Sequence, residues 1–149
     1  MTTSSAEPGA SGTLALPADV RAYLDSNRRY ATLATINPDG SPHQTVTWYL
    51  LDGDTVVVNS RDGRRWSSNL RRDPRLSLTV EDGQHWVSLR GAVEVVDDLA
   101  LARADIAAMA RWYNEDGTAE QDIENTFSHQ QRVSFRLRPS AIHAELGEG

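Results

Sequence analysis

Alternating apolar and polar positions characterise most of the chain between residues 30 and 138. Six runs either alternate every second residue or are continuously apolar and β-branched, and both patterns are typical of strands. In one run Leu76, Leu78 and Val80 alternate with Ser77 and Thr79, so we expect one face in the core. The predicted strands cover residues 30–36, 42–51, 55–59, 75–81, 85–96 and 132–138.

Short turns join most of these strands, and helical periodicity appears between the others. Asn37-Pro38-Asp39-Gly40 and two Asp-Gly pairs have the residue types of tight turns. Helices are predicted over residues 17–25, 64–72 and 99–113, whereas residues 114–131 are polar and give no clear pattern. Antiparallel strands interrupted by short helices predict a mainly β (α+β) domain, a small closed or nearly closed barrel.

Composition narrows the classes of function. The 149 residues suffice for one domain, and a net charge of −6 argues against a general binder of nucleic acid or membrane surfaces. Without cysteine there is no disulfide or thiolate metal site, and the four histidines lack ligand spacing, so we expect no metal. No apolar run reaches membrane-span length. We expect a cytoplasmic protein with a disordered leader, residues 1–12, before a domain at 13–149.

All fifteen basic residues are arginine, and six of them lie between residues 59 and 75 with only Asp62 and Asp73 to offset them. The six are Arg61, Arg64, Arg65, Arg71, Arg72 and Arg75. A predicted strand ends at Asn59, a turn passes through Gly63, and a helix begins near Arg64. Free N–H groups at a helix start and guanidinium forks both favour an anion, so the segment predicts a phosphate site. The alternative is a solvated helix face paired with surface carboxylates.

Three motifs resemble the pyridoxamine-phosphate-oxidase-like flavoproteins. They are the hairpin run 31–43 with Thr47-Trp48-Tyr49, the string Asn-Leu-Arg-Arg-Asp-Pro-Arg at 69–75, and Trp-Val-Ser-Leu-Arg-Gly at 86–91. The resemblance spans residues 16–144 and is strongest to the actinobacterial branch that uses the deazaflavin coenzyme F-420, including its biliverdin-reductase-like members. The all-arginine composition fits a GC-rich actinobacterium, which favours F-420 over FMN.

The resemblance implies a six-stranded antiparallel split β-barrel with accessory helices, assembled as a homodimer with cofactor sites at the interface. By similarity, His43, Val46 and Thr47 line the ring system of the cofactor. The linker and phosphate are bound by Asn59, Ser60, Arg61, Arg64 and Arg65. Trp86 and Ser88 approach from the partner subunit. Trp66 and Asn69 complete the predicted cofactor-binding set. Trp66 stands where several members carry a lysine that helps hold the phosphate.

The implied activity is that of an F-420-dependent oxidoreductase (EC class 1) that passes a hydride to a conjugated or heterocyclic small molecule. An FMN-dependent enzyme and a non-catalytic cofactor- or tetrapyrrole-binding protein are the alternatives. No catalytic side chain is identified; Tyr49, His43 or solvent could donate a proton. By alternation with Val46 and Leu50, Trp48 is expected in the core. Arg132, Arg136 and Arg138 are expected on one strand face, solvated or in contact with a polyglutamate tail.

Overall fold

The computed structural model describes residues 2–6 by their backbone and residues 12–26, 28–114 and 116–147 in full. Its nine strands are β1 (Thr2–Ala6), β2 (Ala31–Ile36), β3 (Pro42–Thr47), β4 (Leu50–Asp52), β5 (Thr55–Arg61), β6 (Arg75–Glu81), β7 (Trp86–Val96), β8 (Arg132–Leu137) and β9 (Ala141–Leu146). The helices are α1 (Ala18–Ser26), α2 (Arg65–Arg72), α3 (Leu99–Tyr113) and α4 (Ala119–Asn125), with a 3-10 turn at Phe127–His129.

All the strand pairs are antiparallel, and they form a curled sheet in the order β3-β2-β6-β7-β8-β5-β4. β9 joins at β7, and β1 pairs with β9. Along one edge, the eleven-residue β7 pairs with two successive strands. Its first half, from Trp86 to Arg90, pairs with β9, and its second half, from Val93 to Val96, pairs with β8. This sharing closes the curled sheet into a split barrel.

Gly91 lies where β7 passes from one sheet to the other. A Cβ placed there would lie 3.1 Å from the Arg138 carbonyl oxygen and 3.2 Å from both the Leu137 Cδ1 and the Ser140 nitrogen. Glycine therefore permits the backbone that connects β8 to β9 to cross β7 closely.

The barrel interior contains the main hydrophobic core. Leu24 of α1, Leu70 of α2 and Phe135 of β8 are all buried in it. α3 packs outside the barrel, where Ile106 and Met109 contact Val57 of β5 in a second, smaller cluster. β5 is thus covered on both faces, which explains its continuous apolar run.

The predicted mainly β, α+β split barrel is confirmed, but the prediction of six strands was wrong. The predicted strand 42–51 is two strands, β3 and β4, because strand pairing is interrupted at Trp48 and Tyr49. There the Tyr49 N–H donates to the Tyr113 hydroxyl at 3.3 Å instead of to a neighbouring strand. β9 was missed, although Ile142, Ala144 and Leu146 alternate with polar residues.

The prediction and the structure also differ in segments that show no alternation of apolar residues. Thr2–Ala6, expected to be disordered, is strand β1, because edge pairing with β9 requires only backbone groups. Residues 1 and 7–11 of that expected leader lie outside the described residues. The unassigned segment 114–131 contains α4 and the 3-10 turn. Within the described ranges, no helix combines the length and apolar character that a membrane crossing requires.

Replacing Gly91 with alanine should test the close crossing at β7. The added methyl group would press on two backbone atoms that cannot rotate away, so we expect a loss of about 1–3 kcal/mol in the free energy of unfolding. Urea denaturation measures it, with the exposed β2 variant Thr32→Ala as control. An unchanged Gly91→Ala midpoint would show that the crossing is looser than the structure indicates.

Candidate functional site

A cavity of about 400 Å³ opens beside α3, between β3, β5, β8 and the start of α2. Of the twelve predicted cofactor-binding residues, seven line it: Val46, Thr47, Asn59, Ser60, Arg61, Arg64 and Trp66. The sequence analysis missed seven others that also line it: Tyr30, Thr45, Trp48, Ile106, Met109, Phe127 and Arg132. The structure thus brings together the β3 and arginine segments, as predicted, and adds a wall from α3 and β8.

Three arginines form one end of this cavity, which we call the arginine end: Arg61, Arg64 and Arg132. The register of β5 and β8 places Arg61 directly opposite Arg132. The guanidinium groups of Arg61 and Arg64 form no ion pair or hydrogen bond with any described residue. Burial lowers the pKa of Arg132 to about 10, with smaller contributions from the charges of Arg64 and Arg61. The arginine end is therefore a cation cluster without a carboxylate.

Buried polar groups hold Arg132 in place. Its Nε donates to the Asn59 Oδ1 at 2.9 Å, and the Asn59 Nδ2 donates to the Ala102 carbonyl of α3 at 2.8 Å and to the Ser134 Oγ at 2.9 Å. Ser134 donates in turn to the Asp105 Oδ2 at 2.6 Å. Asn59, predicted as a cofactor contact, thus also fixes α3 and a cavity-lining arginine. Arg132 is half-buried rather than fully solvated: its Nε donates to Asn59, and its guanidinium lies 5.5 Å from the centroid of the Phe127 ring.

The remaining arginines of the segment 59–75 differ from Arg61 and Arg64. Arg71 bridges Asp62 and Asp97, at 3.2 and 2.7 Å, and the Arg75 NH2 lies 2.7 Å from Asp73. Arg72 donates to the Ile36 carbonyl and to the Asn69 side chain. Arg65 is exposed on α2 and does not line the cavity. The solvated-face interpretation thus fits Arg71 and Arg75, and the anion-site interpretation fits Arg61 and Arg64.

Two residues of α2 that were predicted to bind the cofactor, Asn69 and Trp66, make contacts inside the protein. The buried Asn69 donates to the Thr35 Oγ1 and the Asn37 Oδ1, both at 3.1 Å, so its amide ties α2 to β2. Trp66 reaches the cavity but is buried in the core, where its ring lies 5.8 Å from that of Phe135. Trp66 thus contributes an apolar floor.

Three further predicted residues lie away from the cavity. His43 is half-buried on β3 opposite Thr35, and it does not line the cavity. Trp86 and Ser88 are half-buried on the outward face of β7, since the alternating residues Val87 and Leu89 face the core. The described chain does not bring Trp86 or Ser88 to the arginine end.

Stacked aromatic rings form the other end of the cavity, which we call the aromatic end. The Tyr113 ring stacks on Trp48, with 5.1 Å between centroids and 6° between planes, and on Tyr30, with 5.7 Å and 15°. Alternation predicted Trp48 in the core. The structure shows Trp48 half-buried, lining the cavity and packed against the smaller cluster of α3 and β5. Alternation identifies residues that share a face, but a face directed toward α3 resembles a core face in the sequence.

Tyr49 lies inside the barrel and does not fit the role of proton donor. Its side chain is 3% exposed, and its hydroxyl donates to the Leu24 carbonyl at 2.6 Å. Burial raises the pKa of Tyr49 well above its ordinary value. Burial likewise raises the pKa of Tyr113 to about 12. No carboxylate or imidazole is among the cavity-lining residues of the described chain.

The arginine end and the aromatic end of the cavity lie at opposite ends of α3. Ala102, in its first turn, accepts the hydrogen bond from Asn59 beside Arg132, and Tyr113, its last residue, carries the ring stack. Eleven residues separate Ala102 from Tyr113, about 16 Å along a helix with a rise of about 1.5 Å per residue. The cavity is thus elongated, with cations at one end, rings at the other, and the Thr45–Thr47 segment of β3 along its side.

Comparison with known families supports the resemblance that the motifs indicated. Residues 16–144 match the family described as pyridoxamine 5'-phosphate oxidase. The chain belongs to that family.

Individual relatives of this pyridoxamine 5'-phosphate oxidase family protein support the predicted branch. A biliverdin reductase of Mycobacterium tuberculosis that depends on reduced F-420 is 32% identical over 93 residues, which are 61% of this chain and 67% of that protein. A conserved hypothetical protein of Mycobacterium tuberculosis superposes with a TM-score of 0.73 at 23% identity, with 97% of both chains covered. A structure named F420 reductase gives 0.64 at 23% identity, over 81% of this chain and 94% of that one. The two structures show the shared fold.

Asn69→Ala should separate a structural brace from a ligand contact. The substitution removes the donor to the buried Thr35 hydroxyl and to the Asn37 Oδ1, so we expect a loss of about 1–3 kcal/mol in the free energy of unfolding. Urea denaturation measures it, with Ser68→Ala, exposed on the same helix, as control. An unchanged stability of Asn69→Ala would contradict the bracing role.

Arg132→Gln should test whether an anion binds beside the half-buried guanidinium of Arg132. Because pH 7 lies below both the folded pKa of about 10 and the higher ordinary pKa of arginine, Arg132 is charged in both states and its burial penalty is present in full. A bound anion offsets that penalty, so inorganic pyrophosphate should raise the wild-type Tm by a few degrees at saturation. We expect a smaller rise for Arg132→Gln and the wild-type rise for Arg136→Gln, whose arginine pairs with Asp52. Equal rises in all three proteins would contradict an anion site at Arg132.

Proposed function

We propose that this protein is an F-420-dependent reductase that transfers a hydride to a conjugated or heterocyclic small molecule. The observation that carries the proposal is the arginine end, where Arg61, Arg64 and the half-buried Arg132 converge without a carboxylate. The 32% identical relative, a biliverdin reductase that depends on reduced F-420, supports the choice of coenzyme.

The residues at the arginine end suit the phosphate of such a coenzyme. Arg64 is the N-cap of α2 and makes no side-chain cap, and the first turn of α2 holds no acidic residue. The first N–H groups of α2 lack partners within the helix, so they can donate to an anion together with the nearby guanidinium groups. Arg61 and Arg64 would bind the phosphate, and Arg132, held by Asn59, would contact the adjacent linker.

The middle of the cavity suits a flat ring system. Thr45, Val46 and Thr47 of β3 form one side, and Ile106 and Met109 of α3 form an apolar wall that excludes water. When bound there, reduced F-420 supplies the hydride, and water supplies the proton that completes the two-electron reduction. The protein contributes orientation and an apolar surround, since no acidic or imidazole side chain lines the described cavity.

We also infer a homodimer. Trp86 and Ser88, which the resemblance assigns to the partner's contribution, lie on the outward face of β7, where a second copy could present them to the cavity. Val46 is 63% exposed at the cavity, as expected of an apolar residue that a ligand or a partner subunit covers.

Arg64→Ala should test the phosphate-binding role. Loss of one charge-assisted hydrogen-bonding group costs about 1.5–3 kcal/mol, so we expect the Kd for F-420 to rise about 10- to 100-fold while Tm changes little. Fluorescence titration of F-420 measures it. Arg75→Ala is the matched control, because Arg75 belongs to the same segment but pairs with Asp73 outside the cavity.

The same titration distinguishes the alternative cofactor. If wild-type protein binds FMN more tightly than F-420, the FMN-dependent alternative replaces the proposal. If Arg64→Ala and Arg75→Ala weaken F-420 binding equally, the arginine end is not the phosphate site. Tight F-420 binding without reduction of quinones, enones or biliverdin would favour a binding protein over an enzyme.

A further inference from the structure

Large apolar side chains are exposed at the aromatic end of the cavity. Among the described residues, four large hydrophobic side chains are notably exposed, and two of them line this cavity: Val46 at 63% and Tyr30 at 58%. Tyr30 immediately precedes β2, whose outward face also carries Thr32, the partner of Val46 in β3. Tyr30 and Val46 thus form an apolar rim at the cavity opening.

Tyr30 is the outermost ring of a stack that is already aligned. Behind it, Tyr113 donates its hydroxyl proton to the Arg29 carbonyl at 2.5 Å and accepts the Tyr49 N–H at 3.3 Å, so that its ring is fixed. Trp48 also stacks on Tyr113, with 5.1 Å between the ring centroids. The outer face of Tyr30 therefore has a defined orientation before any ligand arrives, which lowers the entropy cost of stacking on it.

The distribution of charge along the cavity distinguishes the aromatic end from the arginine end. The charged cavity-lining residues of the described chain are Arg61, Arg64 and Arg132, and all three belong to the arginine end. The remaining lining near Tyr30 consists of aromatic, apolar and hydroxyl side chains. An uncharged planar ring suits such a surface, since offset stacking adds to the burial of its apolar area.

We propose that Tyr30 is a substrate-binding residue, which stacks on a planar, conjugated, electron-poor ring and so selects for aromatic substrates over small non-aromatic ones. The proposal rests on the proposed function, because the cavity's remaining length is assigned to the coenzyme. The rigid stack behind Tyr30 and the absence of charge beside it in the described cavity favour a small planar ring over a charged ligand.

The test measures binding to the protein saturated with oxidised F-420. The probes are 1,4-naphthoquinone, which is planar, electron-poor and uncharged, and 2-cyclohexen-1-one, which lacks an aromatic ring. By titration calorimetry we expect Tyr30→Ala to raise the naphthoquinone Kd about three- to tenfold and to leave the cyclohexenone Kd unchanged. Tyr30→Phe should keep the wild-type value, because it keeps the ring. Leu101→Ala, exposed on α3 outside the cavity, is the matched control.

The outcomes separate this inference from the function on which it rests. Failure of wild-type protein to bind F-420 overturns the proposed function itself. Normal F-420 binding with equal naphthoquinone affinity in wild type and Tyr30→Ala overturns only the role of Tyr30. A loss in Tyr30→Phe as large as in Tyr30→Ala overturns stacking and assigns the effect to the hydroxyl. A shift of Tyr30→Ala from dimer to monomer by analytical ultracentrifugation, with naphthoquinone affinity kept, assigns Tyr30 to a subunit interface instead.

Discussion

The double pairing of β7 is the constraint on which the site depends. β7 holds β9 along its first half and β8 along its second half, and Gly91 allows the chain between β8 and β9 to pass at the junction. Because β8 is held there, it can also pair with β5 on its other edge. That pairing places residues from distant parts of the sequence at one cavity wall.

The register of β5 and β8 then sets two like charges face to face. Arg61 lies directly opposite Arg132, an arrangement that costs about 0.2–1 kcal/mol in a sheet even before burial is considered. Burial adds to that cost at Arg132, as its lowered pKa shows. Asn59, Ser134 and Asp105 hold Arg132 at this position. A sheet that maintains such a pair is less stable alone than with an anion bound, which is the physical argument for a binding site.

Local sequence patterns predicted many of the strands and helices of this molecule. They failed where the structure depends on contacts between residues that are distant in the sequence. Alternation located the barrel strands, and turn chemistry together with helix-start chemistry located the Arg61–Arg64 segment. Neither reveals which strands become neighbours, so Arg132, 71 residues after Arg61 in sequence, was expected in solvent or at a polyglutamate tail rather than opposite Arg61. Alternation predicted Trp48 in the core but not its place at the cavity, because burial against α3 and burial in the barrel leave the same alternation. Strand β1 carried no apolar signal, since backbone pairing requires none.

Trp66 marks a difference between this chain and the family members that it resembles. By resemblance, several family members place a phosphate-binding lysine at this position, whereas here the ring packs against Phe135 in the core and can offer no cation. Arg65, the next candidate along the helix, does not line the cavity. The third guanidinium at the arginine end comes instead from β8, and its partner Asn59 comes from β5. We infer that Arg132 compensates for the missing lysine, because the β5–β8 register brings a charge to the cavity that α2 does not supply.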